Sequence, residues 1–145
     1  MQPLPFADYL SLTHRPDMGV LVARWQRQPL LEEFQHGYWQ MLDMATAQQC
    51  RYWLIDCRRR DNANNQNVQW MLEAFFPALA AQLGPPAYLA YLFSPQHLAD
   101  IEADTTVPAL AYFDDRPYHV KRFTDEHHAM EWLANCQQAD KNRAT

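Results

Sequence analysis

The chain has 145 residues, enough for one domain with one hydrophobic core, and its 48% hydrophobic and 20% charged residues are those of a folded protein rather than a disordered one. A formal net charge of −5 argues against a general nucleic-acid binder, whose affinity comes from neutralising phosphates. Only three glycines leave no glycine-rich phosphate loop, and no apolar run approaches the roughly 20 residues of a membrane span.

Three cysteines, Cys50, Cys57 and Cys136, form an odd set with no C-x-x-C spacing. That favours a reduced compartment over a disulfide framework or a zinc knuckle. The opening Met1-Gln2-Pro3-Leu4-Pro5 lacks the basic-then-apolar pattern of a secretion signal, so a cytoplasmic location is expected.

In chain order, Phe6 to Thr13 reads as a first strand, and His14 to Gly19 as a turn punctuated by Pro16 and Gly19. Val20 to Trp25 is a second strand, so the two predict a hairpin. Pro29 opens a long helix, with Leu30, Leu31, Phe34, Tyr38, Met41, Leu42 and Ala45 at helical spacing and Glu32 and Glu33 in its first turn. Tyr52 to Asp56 is a third strand.

Asn62, Asn64, Asn65 and Asn67 supply turn and capping chemistry for the next helix. Its apolar ladder is Val68, Met71, Leu72, Phe75, Phe76, Leu79 and Leu83. Pro77 lies within it and predicts a kink or a break, and Gly84-Pro85-Pro86 predicts its end.

Ala87 to Phe93 is apolar throughout, as a strand covered on both faces would be. Ser94-Pro95 caps a weaker helix to about Ala103, and a helical turn is expected over Pro108 to Phe113. Tyr118 to Phe123 alternates like a half-exposed strand. Thr124 or Asp125 caps a last helix with core positions Ala129, Trp132, Leu133 and Cys136, and a polar tail at about 138–145 is expected to fray. The order β-β-α-β-α-β-α-β-α predicts a single α/β domain with a mixed, mostly parallel sheet.

The segment richest in chemistry is Asp56-Cys57-Arg58-Arg59-Arg60, at the carboxyl end of an internal strand, where open α/β sheets keep their ligand sites. One reading is an anion pocket, with guanidinium forks, Asp56 orienting one of them, and Asn64 and Asn65 at the adjoining turn. The other is a capped strand end whose arginines answer acidic neighbours such as Asp61. Cys57 beside these arginines raises the prospect of a thiolate, against the plainer role of a small buried hydrophobe.

The six histidines lack metal spacing and read as surface groups, and Asp114-Asp115-Arg116-Pro117 reads as a turn. The aromatic stripe of Phe34, Tyr38, Trp39, Phe75 and Phe76 reads as core, with an apolar pocket as the alternative. Trp70 falls off the apolar ladder, and an exposed tryptophan there would mark a contact surface.

Gly19-Val20-Leu21-Val22-Ala23-Arg24-Trp25, Leu31-Glu32-Glu33-Phe34, Trp53-Leu54-Ile55-Asp56 with its arginines, and Phe123-Thr124-Asp125-Glu126 with Ala129 and Trp132-Leu133 resemble STAS-like proteins of bacteria that carry no assigned activity. STAS is the fold of anti-sigma-factor antagonists and sulfate-transporter tails. The resemblance covers almost the whole chain and implies a regulatory or protein-interaction module. The phosphorylation-switch members carry a serine or threonine just after the third strand, and residues 56–65 here contain neither.

The expected function is therefore a non-catalytic module that binds a protein partner or a second copy of itself. A domain holding an anionic or amphipathic, lipid-like small molecule at Asp56–Arg60 is the alternative. Asp56, Arg58, Arg59, Arg60, Asn64, Asn65 and Trp70 are the candidate contact residues. No cofactor, metal or nucleic acid is expected, and an enzyme built on Cys57 is the third reading.

Overall fold

In a computed structural model, which describes residues 8–61 and 66–144, five strands form one sheet in the order β1-β2-β3-β4-β5. They are β1 (Leu10–Arg15), β2 (Val20–Trp25), β3 (Tyr52–Asp56), β4 (Ala87–Leu92) and β5 (Tyr118–Phe123). Only β1 and β2 run antiparallel. The α/β class and the mixed, mostly parallel sheet agree with the sequence reading.

The first strand sits later than the sequence suggests. The Met18 and Gly19 amides both donate to the Arg15 carbonyl, and Gly19 takes φ +67°, the left-handed region that glycine tolerates. This tight turn fixes the hairpin register from Arg15–Val20 to Leu10–Trp25. Phe6 and Ala7 lie outside the described residues.

Helix α1 (Leu31–Gln48) opens after Leu30, whose amide donates to Glu33 Oε1 at 2.9 Å. The Arg27 guanidinium clamps the same carboxylate with both Nη atoms at 2.8 Å. Gly37 is where α1 meets the sheet: a Cβ there would come within 2.6 Å of the Trp25 ring.

The next helix is continuous across Pro77 rather than broken. Helix α2 (Gln66–Trp70) passes through a π-helical turn (Met71–Phe75) into α3 (Phe76–Leu83). Proline has no N–H, and its ring crowds the carbonyl four residues back, here Glu73. The chain absorbs this by one wide turn, in which the Phe76 amide donates to the Met71 carbonyl five residues earlier.

Ser94 Oγ accepts from the His97 amide and caps α4 (Pro95–Ala103). A 3-10 turn covers Leu110–Phe113. The last helix, α5 (Glu126–Ala144), is capped by Asp125 and includes most of the expected polar tail. Residues past 137 are held because Asp140 accepts from the Tyr52 and Tyr88 hydroxyls, at 2.5 and 2.8 Å, and from Arg143.

Strand alternation divides the core in two. Trp25, Trp53, Ile55, Cys57, Leu89, Tyr91 and Tyr118 face α1 and the α2–α3 helix. Val20, Leu54, Tyr88, Ala90 and Leu92 face Ala129 and Leu133 of α5. Among the described residues, no helix is long and apolar enough to cross a membrane.

Candidate functional site: a charge cluster and a cavity on opposite faces

Asp56 ends β3 on the α5 face. It is buried, at 7% exposure, yet fully partnered. Arg24 is its direct neighbour in the parallel β2–β3 register and gives Nη1 at 2.9 Å. Arg58 folds back over the strand end, with its backbone amide at 3.1 Å and its Nε at 3.0 Å from Oδ1, and its Nη2 at 2.9 Å from Oδ2.

Glu126, at the start of α5, completes the cluster. It accepts from both Nη atoms of Arg24, at 2.8 and 3.2 Å, and from Arg58 Nη2 at 3.4 Å. Two guanidiniums face two carboxylates, so the cluster is neutral. Burial pushes the Asp56 carboxyl up, but hydrogen bonds from Arg58 and Arg24 outweigh it and hold the group below the ordinary carboxylate value. Hydrogen bonds from Arg24 likewise lower Glu126. This is a satisfied junction that ties β2, β3 and α5 together, with no charge left over for a ligand.

The three arginines separate. Arg58 serves the Asp56 cluster. Arg59 is exposed and donates to Gln26 Oε1 at 2.7 Å. Arg60 turns to the other face, its guanidinium 4.9 Å from the Phe34 ring centre and 5.4 Å from that of Trp25. Asn64 and Asn65 lie outside the described residues. Trp70 is half-buried rather than exposed, with its ring packed against Phe34, Tyr38, Trp39 and Phe75.

On that second face lies a cavity of about 130 Å³. Its walls are largely apolar, from α2, the π turn, Ile101 of α4 and Phe113, while Cys57, Tyr91, Val120 and Arg122 come from the sheet side. Arg60 and Arg122 both line it, and neither makes an ion pair among the described residues. The Arg60 Nε is buried without a hydrogen-bond partner. Arg122 donates to the Pro108 carbonyl at 2.9 Å, and burial pushes its pKa down, although a guanidinium stays protonated.

Asn67 is only 3% exposed and lines the same cavity, with neither its Oδ1 nor its Nδ2 hydrogen-bonded among the described residues. An unmet buried polar group costs about 1–3 kcal/mol. The Tyr38 and Tyr91 hydroxyls lie 2.9 Å apart, and that bond uses one of their two protons. The remaining O–H, two guanidiniums and one amide NH₂ make the cavity rich in donors.

His97 is buried, against the expectation of surface histidines, with its ring packed on the edge of Phe93. Its Nδ1 lies 3.1 Å from the Cys57 carbonyl, which can only accept, so Nδ1 carries the proton. Burial lowers its pKa, the Cys57 carbonyl raises it and Arg60 lowers it further. Cys57 itself is fully buried, and burial pushes its thiol up to about 11 despite Arg60 nearby. A protonated, enclosed thiol does not serve as a nucleophile at neutral pH. Among the described residues, no group of three or more histidine, cysteine or acidic side chains is placed to hold a metal ion.

The fold and site together define an α/β protein with an apolar, donor-lined cavity beneath the ends of its parallel strands. No family model matches the chain, and no curated protein or solved structure does either.

The sequence signals for the cavity were indirect. Arg122 alternates with Val120 on a strand, which puts both on one face, but only the folded sheet brings them beside Arg60. Asn67 reads as capping chemistry in sequence, and in the folded chain it is buried in the cavity wall with Val68, Met71 and Leu72.

Proposed function

We propose that this chain is a non-catalytic binding module with a STAS-like fold, and that it binds a small amphipathic anion in the cavity lined by Arg60 and Arg122. The strand order and the single antiparallel pair support the STAS-like reading. The observation that carries the binding reading is Asn67, a buried amide with both ends unpartnered among the described residues, in a cavity also lined by two guanidiniums that make no ion pair among those residues. Apolar walls with a few convergent polar groups are the usual make-up of a small-molecule site.

The missing serine or threonine after β3 argues for a regulatory device other than phosphorylation at that position. A cytoplasmic setting suits the cysteines, since Cys50, Cys57 and Cys136 are all unpaired. A protein partner or a second copy remains a second reading, supported by adjacent exposed Leu30 (63%) and Leu31 (39%) in the turn that precedes Phe34 of the cavity wall. Light scattering tests the second copy: a dimer lost in Leu30→Ser supports self-association, and a monomer at all concentrations rejects self-association.

The ligand reading is tested by thermal shift with straight-chain carboxylates from acetate to decanoate, with benzoate, and with the matching alcohols. Carboxylates should raise the melting temperature, alcohols should do so less, and Arg122→Gln should abolish the difference. If no carboxylate raises the melting temperature of the unaltered protein, the reading fails.

A further inference from the structure

The cavity is small for a lipid. A cavity of about 150 Å³ takes one benzene ring, and the room here is about 130 Å³. The walls set that limit from several directions. Phe76 stacks on Tyr118 at 4.4 Å and meets Phe113 at 5.9 Å between ring centres, which closes one side with rigid aromatic rings. Phe93 meets His97 at 4.8 Å. Ile101, Val107 and Val120 add further apolar wall.

The polar groups are as selective as the walls. The excess of donors over acceptors suits a ligand that carries acceptor oxygens. Arg60 and Arg122 act on one common group: both guanidiniums lower the Tyr91 hydroxyl, against the larger upward push of burial. Tyr91 therefore marks where their fields overlap. A planar carboxylate satisfies guanidinium N–H groups in bidentate fashion and leaves an oxygen lone pair for a phenol or amide donor. A phosphate brings more charge and more oxygens than a mostly apolar cavity of this size can hydrogen-bond.

Resting on the binding reading above, we infer that the cavity is a site for a compact monocarboxylate whose body is one ring or a short branched chain, of benzoate size. The carboxylate lies at Arg60 and Arg122, with Asn67 and the Tyr38–Tyr91 pair completing its hydrogen bonds. The body rests among Met71, Leu72, Phe76 and Val120. The Asp56–Arg58 cluster takes no part, because its charges are already paired.

The test is isothermal titration of the full chain with benzoate, benzamide, decanoate and inorganic phosphate. Benzoate should bind one to one and at least about tenfold more tightly than each of the other three. Arg122→Gln should weaken benzoate at least about tenfold, whereas Arg59→Gln, a residue outside the cavity, should leave it unchanged. Arg122→Lys keeps the charge and should retain more affinity than Arg122→Gln, which separates loss of the anchor from loss of folding.

If decanoate binds as tightly as benzoate and still depends on Arg122, the amphipathic-anion reading stands and the size class is overturned. If phosphate matches benzoate, the carboxylate assignment is overturned. If none of the four binds saturably, both the size class and the binding reading fall.

Discussion

Asp56 and Cys57 are adjacent in sequence and serve opposite faces of the sheet. The Asp56 carboxylate is locked to Arg24 and Arg58 on the α5 face. Cys57 lines the cavity on the other face, and its carbonyl positions His97. One strand end thus separates a structural charge cluster from the apolar cavity.

Replacing Asp56 by asparagine should destabilise the protein by about 1–3 kcal/mol, because Arg24 and Arg58 lose a buried, hydrogen-bonded partner. Asp56 titrates lower in the folded chain than in the unfolded one. Its contribution is therefore present above the unfolded pKa of about 4 and is lost as pH falls through the folded value. Urea unfolding at pH 7 and pH 3 checks this. The difference between the unaltered protein and Asp56→Asn should be large at pH 7 and shrink at pH 3.

His97 carries the opposite charge chemistry but the same direction of pH dependence. Burial lowers its pKa below 6.5, so between the folded and unfolded values the unfolded chain binds more protons. Stability should fall as pH drops below about 6.5. Arg60, Asp61 and Asp100 also act on this ring. Imidazole proton resonances should place the His97 midpoint below the ordinary histidine value of about 6.5, and a midpoint at or above that value would contradict the packing described.

Gly37 lies where α1 crosses Trp25, and a methyl group there would press into the indole. Gly37→Ala should lower stability by about 1–3 kcal/mol, the usual cost of overpacking a filled core. A helix-propensity gain of about 1 kcal/mol works against this, so the denaturation midpoint reports which dominates. A midpoint above that of the unaltered protein would show that Trp25 moves aside freely.

Thiol labelling should follow enclosure. Cys57 is fully buried and Cys136 is half-buried, while burial pushes both thiols up to about 11. Iodoacetamide at pH 8 should modify Cys136 before Cys57, as read by mass spectrometry of the native protein. Rapid modification of Cys57 would reveal an open, reactive thiol and revive a nucleophilic role.

The element order was legible in the chain because turns, caps and apolar periods agree: Ser94-Pro95 does cap α4, and Asp125 does cap α5. The division of the arginines was only half legible. Alternation says that neighbouring arginines diverge, but the Arg24–Asp56 pairing depends on the parallel register of β2 and β3, which no local pattern fixes. Arg122 and His97 were missed for the same reason: each is unremarkable in its own segment and acquires meaning only from strands far away in sequence. Pro77 predicts a kink or a break because helix propensity is local, whereas the chain runs on through a π turn with Phe75 and Phe76 both buried in the core.

The most direct test of the central claim is a titration of ¹⁵N-labelled protein with benzoate, following the side-chain amide of Asn67 and the Nε–H groups of the arginines. The account predicts saturable shifts at Asn67, Arg60 and Arg122, with Arg24 and Arg58 unmoved. Shifts confined to Arg24 and Arg58, or no saturable change at Asn67, would contradict it.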